Sequence, residues 1–279
     1  MTIAISLKVN DGVILATDSA ATIFTPRSNN SPGGVLNVYQ NAEKLFNLCE
    51  GKPVGAITWG SGSIGAASIS TLMKDFRKIQ KGQISDDNIN IENITDKLAS
   101  YIYKDKYLPA FQAWPDNEPN IGFLVAGYSS QESFPEEWKF EILSGKLVNP
   151  IKIRKKEESG IIWNGEPEAI SRLILGQSPG LRSVLIDSGI DEEKVQEIID
   201  RANQKLTTPI VIAPMPIKDA IDVAEFLVET TINYSKFSPG ASTVGGPIDI
   251  AAITKHEGFK WIKRKYYYNN DLNPRKISE

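Results

Sequence analysis

Apolar and polar residues alternate at the start of the chain, in the segment 3–9 (IAISLKV). An alternation of period two is typical of a β-strand that buries one face. The turn residues Asn-Asp-Gly follow at 10–12, and an almost continuously apolar run covers 13–19 (VILATDS). The pattern therefore predicts a β-hairpin whose second strand is buried on both faces.

Further strand-like and helix-like segments follow one long polar stretch. Residues 23–40 are rich in Pro, Gly, Asn and Ser, and we interpret them as a loop or insertion. Further strands are predicted at 44–48, 53–59, 120–128, 138–144, 148–153, 160–164 and 247–254. Helices are predicted at 64–79, 91–113, 166–176, 179–188, 191–206 and 216–235, the last with Ala220, Val223, Phe226, Leu227 and Ile232 on one side.

The order of these elements predicts the fold class. Strands and helices occur in separate groups along the chain, which favours an α+β protein with segregated layers. Two antiparallel sheets packed face to face, with helices outside each, would form a four-layer αββα sandwich. We expect one domain over residues 1–260, and a basic, aromatic tail over 261–279 that is solvated or contacts another subunit.

Composition excludes several functions. The chain has 279 residues and a net charge of −3, with 31 Lys and Arg against 34 Asp and Glu. A nucleic-acid-binding protein usually carries a basic excess, so we expect no nucleic-acid partner. No apolar stretch approaches the roughly 18 residues that span a bilayer, and no signal peptide is recognisable. We therefore expect a cytoplasmic protein without a membrane partner.

The counts of cysteine and histidine exclude the commonest catalytic sites. Cys49 is the only cysteine, so no disulfide can form within the chain. His256 is the only histidine, and the polar segment around it predicts an exposed turn. Ser-His-Asp triads, Cys-His dyads and multi-histidine zinc sites are therefore excluded. No metal-ligating residues cluster in the sequence, and we predict neither a metal nor a cofactor.

Thr2 follows Met1 directly and is the first candidate for chemistry. Removal of Met1 would leave a threonine with a hydroxyl and a free α-amine, whose ordinary pKa of roughly 7.7–8.0 suits a base near neutral pH. A hydroxyl activated by its own amine is an established nucleophile that needs no histidine. Taken alone, Thr2 is better explained as a β-branched residue at the start of a strand.

Asp18 and Lys44 are charged residues that border apolar runs. Burial of either charge alone would be costly, so we expect the two to be paired or strongly hydrogen-bonded. A lysine near a threonine would lower the pKa of its hydroxyl, and the aspartate would orient the lysine. The alternative is that both are exposed charges at strand ends.

The segment WGSGS at 59–63 is a glycine-rich connection between a predicted strand and a predicted helix. Such a turn can direct main-chain N–H groups at an anion, including the oxyanion of an acyl-transfer reaction. It is equally explained as a tight turn with a serine N-cap, or as a phosphate site.

Taken together, these segments resemble the proteasome-type β-subunits of the N-terminal-nucleophile (Ntn) hydrolases. The matching segments are TIAISLKVNDGVILATDSAAT, KLFNL, GSGS before a helix, FLVAGY, IIWNGEPEAISRLILG and GGPIDIAAITKHEGF. The resemblance covers most of residues 2–260, and the bacterial Anbu-type proteins are more similar than the eukaryotic subunits. It implies the Ntn hydrolase fold and threonine-type hydrolysis.

The resemblance also implies a role for individual residues. Thr2 would be the nucleophile and, through its amine, the base, with Met1 as the only leader. Lys44 would tune Thr2, Asp18 would hold Lys44, and the N–H of Gly62 would form the oxyanion hole. The substrate pocket would be bordered by Gly60 and Ile64.

The second half of the chain departs from the family pattern. Asn164 stands where the family usually has a serine, and an amide cannot relay a proton as a hydroxyl can. The family's aspartate shortly before the Gly-Gly pair is missing from FSPGASTVGGP. Ser242, Thr243 or Ser238 is the candidate replacement.

Three functions remain open at this point. The first is a threonine peptidase within a self-compartmentalised homo-oligomeric ring that acts on peptides or unfolded proteins. The second is a ring scaffold or binding protein of the same fold without turnover. The third is an Ntn hydrolase of a small non-peptide amide, with a pocket reshaped by the insertion 23–40. The sequence does not identify an ATPase partner.

Overall fold

The fold is built from two five-stranded antiparallel sheets that pack face to face between helices. The computed structural model describes residues 2–25, 33–112, 118–269 and 272–273. Its strands are β1 (Ile3–Val9), β2 (Gly12–Thr17), β3 (Ala21–Thr25), β4 (Gly34–Tyr39), β5 (Leu45–Asn47), β6 (Val54–Gly60), β7 (Ser63–Ile64), β8 (Ala67–Ser68), β9 (Ile121–Gly127), β10 (Glu136–Leu143), β11 (Lys146–Lys152), β12 (Gly160–Gly165), β13 (Asp249–Thr254) and β14 (Gly258–Lys263).

Sheet I has the order β12-β1-β2-β13-β14, and sheet II has the order β11-β10-β9-β6-β5. Every neighbouring pair in the two sheets is antiparallel. The predicted hairpin joins β1 to β2 at the centre of sheet I, with Val9 opposite Gly12. This arrangement places the N-terminal strand in the middle of a sheet, hydrogen-bonded on both sides.

Helices lie on the outer side of each sheet. They are α1 (Ile69–Gln80), a 3₁₀ turn (Asp86–Asn88), α2 (Ile91–Ser100), α3 (Leu108–Phe111), α4 (Glu168–Ile170), α5 (Leu181–Asp187), α6 (Glu192–Leu206) and α7 (Ile217–Phe237). A π-helical segment, Tyr101–Tyr107, joins α2 to α3, and a second, Ser171–Leu175, continues α4. Helix α7 packs on β1 and β2, and α2 packs on β9, β10 and β11.

Three apolar clusters fill the spaces between the four layers. The alternation along β1 places Ile3, Ile5 and Leu7 against α7, and Ala4 against sheet II. The cluster between the sheets also contains Leu15 of β2. The third cluster lies between sheet II and helices α1 and α2. The predicted α+β, four-layer sandwich is therefore confirmed.

Several elements differ from their predicted limits. The predicted loop 23–40 includes strand β4 and most of β3, which pair with each other, while residues 26–32 lie outside the described residues. Strand β14 extends past the predicted domain limit at 260 to Lys263. On α7, Phe226 was predicted on the apolar side but is 48% exposed.

The first helix begins later than predicted, at Ile69 instead of residue 64. Strands β7 and β8 form a small hairpin over the intervening residues, with Ser63 opposite Ser68. The hydroxyl of Ser68 accepts the N–H of Thr71 at 3.2 Å and caps the helix. The glycine-rich segment 59–63 therefore leads from the end of β6 into this hairpin, and the serine N-cap lies at the end of the hairpin.

None of the helices in the described part of the chain is both long enough and apolar enough to cross a membrane.

Candidate active site

The carboxylate of Asp18 lies at the centre of the candidate site. Asp18 follows the end of β2 and is fully buried. Its Oδ1 accepts the N–H of Ile3 at 3.0 Å and Nζ of Lys44 at 2.6 Å. Its Oδ2 accepts the N–H groups of Ala20 and Gly245, each at 3.0 Å. One side chain thus fixes the start of β1, the end of β2, the turn before β13 and the ammonium group of Lys44.

Lys44 is the buried cation of this site. It lies immediately before β5 of sheet II, where its C=O accepts the N–H of Thr58 at 3.0 Å. The side chain is 7% exposed, and burial lowers the pKa of Lys44 while the charge of Asp18 opposes that effect. The nearby ammonium of Lys265 lowers the pKa of Lys44 further. Asp18 and Lys44 form the expected pair, and the alternative of two exposed charges is wrong.

Thr2 lies immediately before β1 and is buried. Its C=O accepts the N–H of Glu166 at 2.7 Å, which extends the pairing of β1 with β12 by one step. Gly165 has a φ of +98°, and a Cβ at that position would lie 1.8 Å from the carbonyl oxygen of Thr2. Only glycine allows this approach. Alternate residues of a strand share a face, so Thr2 is on the same side as Ala4, toward sheet II.

A cleft with a volume of about 1200 Å³ is lined by four of the candidate residues, Thr2, Lys44, Gly60 and Gly62. Gly60 has a φ of +87°, and a Cβ there would lie 2.3 Å from the carbonyl oxygen of Asn120. The C=O of Gly62 accepts the N–H of Ile69 at 2.9 Å, whereas the N–H of Gly62 has no acceptor among the described residues. That N–H remains available to a ligand in the cleft.

Ile64 does not line this cleft. Its side chain is buried in the apolar cluster between sheet II and helix α1. The structure therefore places Ile64 in the core and Gly60 at the cleft.

A row of buried residues crosses sheet I next to Thr2. The row runs across β12, β1, β2 and β13, and each member lies directly opposite the next: Asn164, Ala4, Thr17 and Asp249. Oδ1 of Asn164 accepts Nζ of Lys139 at 3.3 Å. Its Nδ2, like Oγ1 of Thr17, has no hydrogen-bond partner within the described residues. The row therefore offers unused hydrogen-bonding capacity beside the start of β1.

The three candidates near the Gly-Gly pair differ in their environments. Ser238 ends α7, where its hydroxyl donates to the C=O of Tyr234 at 2.7 Å. The hydroxyl of Ser242 donates to the C=O of Val244 at 3.1 Å. Thr243 is buried, and its Oγ1 is bonded to no other described residue. None of the three lines the cleft.

The sequence analysis missed a second ion pair at the cleft. Lys265, placed in the predicted tail, lines the cleft together with Thr2. Its ammonium group binds Oδ2 of Asp249, and its main-chain N–H donates to Oδ1 of Asp249 at 3.0 Å. The signal that could have revealed this pair is Asp249 itself, an acidic residue inside the apolar run PIDIAAIT.

Neither a cluster of metal ligands nor the single histidine is found at the candidate site within the described residues. Within the described ranges, no three His, Cys, Asp or Glu side chains lie close enough to hold a metal ion. His256 lies in the exposed turn between β13 and β14, as predicted. Among the described residues, the titratable side chains that line the cleft are those of Glu43, Lys44, Lys74, Lys265, Tyr266 and Tyr267.

Comparison with known proteins identifies the fold. The chain matches no protein-family model and no curated protein by sequence. Three similar solved structures, each with a TM-score of 0.52, are Anbu proteins. They are the Gly-1 mutant of Anbu from Hyphomicrobium sp. strain MC1 (14% identity; 95% of this chain and 86% of that chain), Anbu (ancestral beta-subunit) from Yersinia bercovieri (15%; 94% and 88%) and the helical assembly of the Anbu complex from Pseudomonas aeruginosa (16%; 97% and 90%).

These similarities show that the chain has the Ntn-like fold of the Anbu proteins. The resemblance expected from the sequence is confirmed at the level of the fold, at low sequence identity.

Proposed function

We propose that this chain, built on the fold of the Anbu proteins, is a threonine-type Ntn amidohydrolase whose substrates are peptides or unfolded proteins. One observation carries the proposal. The same oxygen of Asp18 binds the ammonium group of Lys44 and the N–H of Ile3, the residue next to Thr2. Lys44 is thereby held beside the start of β1, and Thr2 and Lys44 line the same cleft.

The proposed reaction begins after removal of Met1. The neutral α-amine of Thr2 takes the proton of its own hydroxyl as Oγ1 attacks the carbonyl carbon of the substrate. The positive charge of Lys44 lowers the pKa of that hydroxyl, and Asp18 fixes the position of Lys44. The N–H of Gly62 donates to the oxyanion.

The second half of the reaction returns the proton. The protonated α-amine gives its proton to the leaving amine, and the C–N bond breaks to leave an ester on Thr2. Water then attacks the ester and gives a proton to the α-amine; the amine returns this proton to Oγ1 of Thr2 as the ester C–O bond breaks and the acid is released. Oγ1 of Thr243 is the candidate to accept a hydrogen bond from the protonated α-amine, because it is buried and has no partner among the described residues. The unpartnered Nδ2 of Asn164 is a donor and cannot accept such a bond.

We also propose that the chain works as a homo-oligomer in the cytoplasm. A helical assembly is described for the Anbu complex from Pseudomonas aeruginosa, which has the same fold. A ring or helical assembly would enclose the cleft and restrict it to peptides and unfolded chains.

The second candidate function is a scaffold or binding protein without turnover. It is favoured by Asn164, whose buried Nδ2 has no partner among the described residues, and by the missing aspartate before Gly245. An unsupported α-amine would be a poor base, although the fold and the cleft would remain.

Peptide hydrolysis by the purified full chain tests the proposal. We expect cleavage of short fluorogenic peptides or of an unfolded protein by the wild type and by Thr2→Ser, and none by Thr2→Ala. Equal cleavage by Thr2→Ala would contradict the proposal. Absence of cleavage by all three would favour the scaffold.

A further inference from the structure

The segment after β14 forms part of the cleft wall and is held in place by a buried carboxylate. Asp249 lies within β13 and is 2% exposed. It accepts the main-chain N–H of Lys265 at 3.0 Å and also binds the ammonium group of that residue. Lys265, Tyr266 and Tyr267 all line the cleft that contains Thr2. The contacts between Asp249 and Lys265 thus fix the start of a segment that brings two aromatic residues to the same cleft as Thr2.

Aromatic packing orders this wall further. The guanidinium of Arg264 lies over the ring of Trp261 at 4.5 Å and over the ring of Tyr266 at 4.9 Å. The rings of Tyr266 and Tyr268 pack edge to face, with centroids 5.4 Å apart. Tyr267 is 90% exposed although it lines the cleft. Part of this aromatic surface is therefore supported by protein, and part is open to a ligand.

Strand β3 supplies apolar residues to the same cleft. Ile23 and Phe24 line it and are 43% and 57% exposed. Trp59, at the end of β6, also lines it and is half-buried. Exposed apolar side chains gathered around one concave surface are typical of a binding site.

The charges of the cleft are already compensated. Glu43 pairs with Lys74, Lys44 with Asp18, and Lys265 with Asp249. A subsite for an acidic or basic side chain would need an unpaired charge of opposite sign. Charge complementarity therefore favours an uncharged, apolar side chain as the occupant.

We propose that Tyr266 and Tyr267, together with Ile23 and Phe24 of β3, form a subsite that selects a bulky apolar side chain of a peptide bound next to Thr2. This inference rests on the proposed function for its substrate class. Asp249 is a positioning residue, because it holds the segment that carries the tyrosines and does not itself line the cleft.

Binding of blocked tripeptides to the full chain tests the subsite without requiring catalysis. We compare acetyl-Ala-Ala-Phe-amide with its Asp and Lys counterparts by isothermal titration calorimetry, up to millimolar concentration. The Phe peptide is expected to bind at least about tenfold more tightly, since loss of one well-packed aromatic contact costs this much. Equal binding of the three peptides, or no binding, overturns the subsite.

Variants identify the residues that are responsible for binding the Phe peptide. Tyr266→Ala/Tyr267→Ala and Phe24→Ala are each expected to weaken the Phe peptide about tenfold and to leave the Asp and Lys peptides unchanged. Phe237→Ala is the matched control, because Phe237 is 79% exposed and does not line the cleft. Asp249→Asn, which releases the segment, should lower affinity for the Phe peptide only. Equal affinities in the control and in the wall variants contradict the proposal.

Two further outcomes distinguish the subsite from a subunit interface at the same surface and from the proposed hydrolysis. If a second copy of the chain covers the aromatic wall, the double tyrosine variant changes the oligomer size in light scattering and leaves peptide binding unchanged, which overturns the subsite. If Thr2→Ala binds the Phe peptide normally while the wild type cleaves nothing, the subsite stands and the proposed hydrolysis fails.

Discussion

The ammonium group of Lys44 lies 2.6 Å from Oδ1 of Asp18, and both side chains are almost fully buried. Asp18 follows β2 of sheet I, whereas Lys44 precedes β5 of sheet II. The ion pair therefore joins the two sheets beside the cleft, which is lined by Lys44. We expect it to stabilise the fold and propose that it also tunes Thr2, and variants can separate the two contributions.

Asp18→Asn should strongly destabilise the protein. The substitution leaves the buried ammonium of Lys44 without a counter-charge, and breaking such a pair costs about 3–5 kcal/mol. Urea unfolding measures the loss. Lys218→Met is the control, because it removes an exposed pair with Asp222 and should cost less than about 1 kcal/mol. A similar loss of unfolding free energy in both variants would show that the buried pair stabilises the fold no more than the exposed pair does.

Removal of both charges should recover stability without recovering chemistry. Lys44→Met/Asp18→Asn has no unpaired buried charge, so its loss in unfolding free energy should fall short of the sum of the single losses by at least about 2 kcal/mol. Reaction of Thr2 with a β-lactone should nevertheless be slowed by roughly 10²-fold or more, since the tuning charge is gone. Normal reactivity in the double variant would exclude Lys44 from the mechanism.

Gly165→Ala should displace Thr2. Its φ of +98° disfavours a side chain, and the added Cβ would lie 1.8 Å from the carbonyl oxygen of Thr2. Gly189→Ala is the matched control, with a φ of +82° and nothing within 4 Å of the added Cβ. The control should cost about 1–2 kcal/mol from strain alone. Gly165→Ala should lower the unfolding free energy by more than Gly189→Ala does, and it should abolish β-lactone labelling of Thr2. Equal losses of unfolding free energy in the two variants would contradict a clash between the added Cβ and Thr2.

Stability should depend on the buried thiol of Cys49 at alkaline pH. Burial raises the pKa of Cys49 from 9.0 to about 11, so the folded protein binds more protons than the unfolded chain between these values. The contribution of the thiol to stability is complete below pH 9 and is lost as the pH rises toward 11. Relative to Cys49→Ala, the wild type should lose about 1.4 kcal/mol between pH 8 and pH 10 in urea unfolding. A pH-independent difference between the two proteins would contradict this assignment.

The sequence predicted those features that depend on local pattern. The period-two alternation at Ile3–Val9 and the continuous apolar run of β2 identify two strands of sheet I. Charges next to buried runs have to be paired, so Asp18 and Lys44 could be predicted as partners before their 2.6 Å contact was known. The single histidine excluded the competing kinds of catalytic site.

Features that depend on distant pairing could not be predicted in the same way. Strand β3 carries its apolar residues Ile23 and Phe24 on an exposed hairpin, so no burial pattern distinguishes it from a loop. The row that joins Asn164 to Thr17 and Asp249 depends on the register of four strands. Lys265 is one cation among several in a basic segment, and only the three-dimensional fold brings it to Asp249.

The most direct test of the central claim is the intact mass of the purified protein before and after treatment with a threonine-reactive β-lactone. The account predicts a chain without Met1 that gains one lactone, with the adduct mapped to Thr2. The adduct should disappear in Thr2→Ala and persist in Thr208→Ala, which removes an exposed threonine outside the cleft. A retained Met1, or an adduct that survives in Thr2→Ala, would contradict Thr2 as the nucleophile.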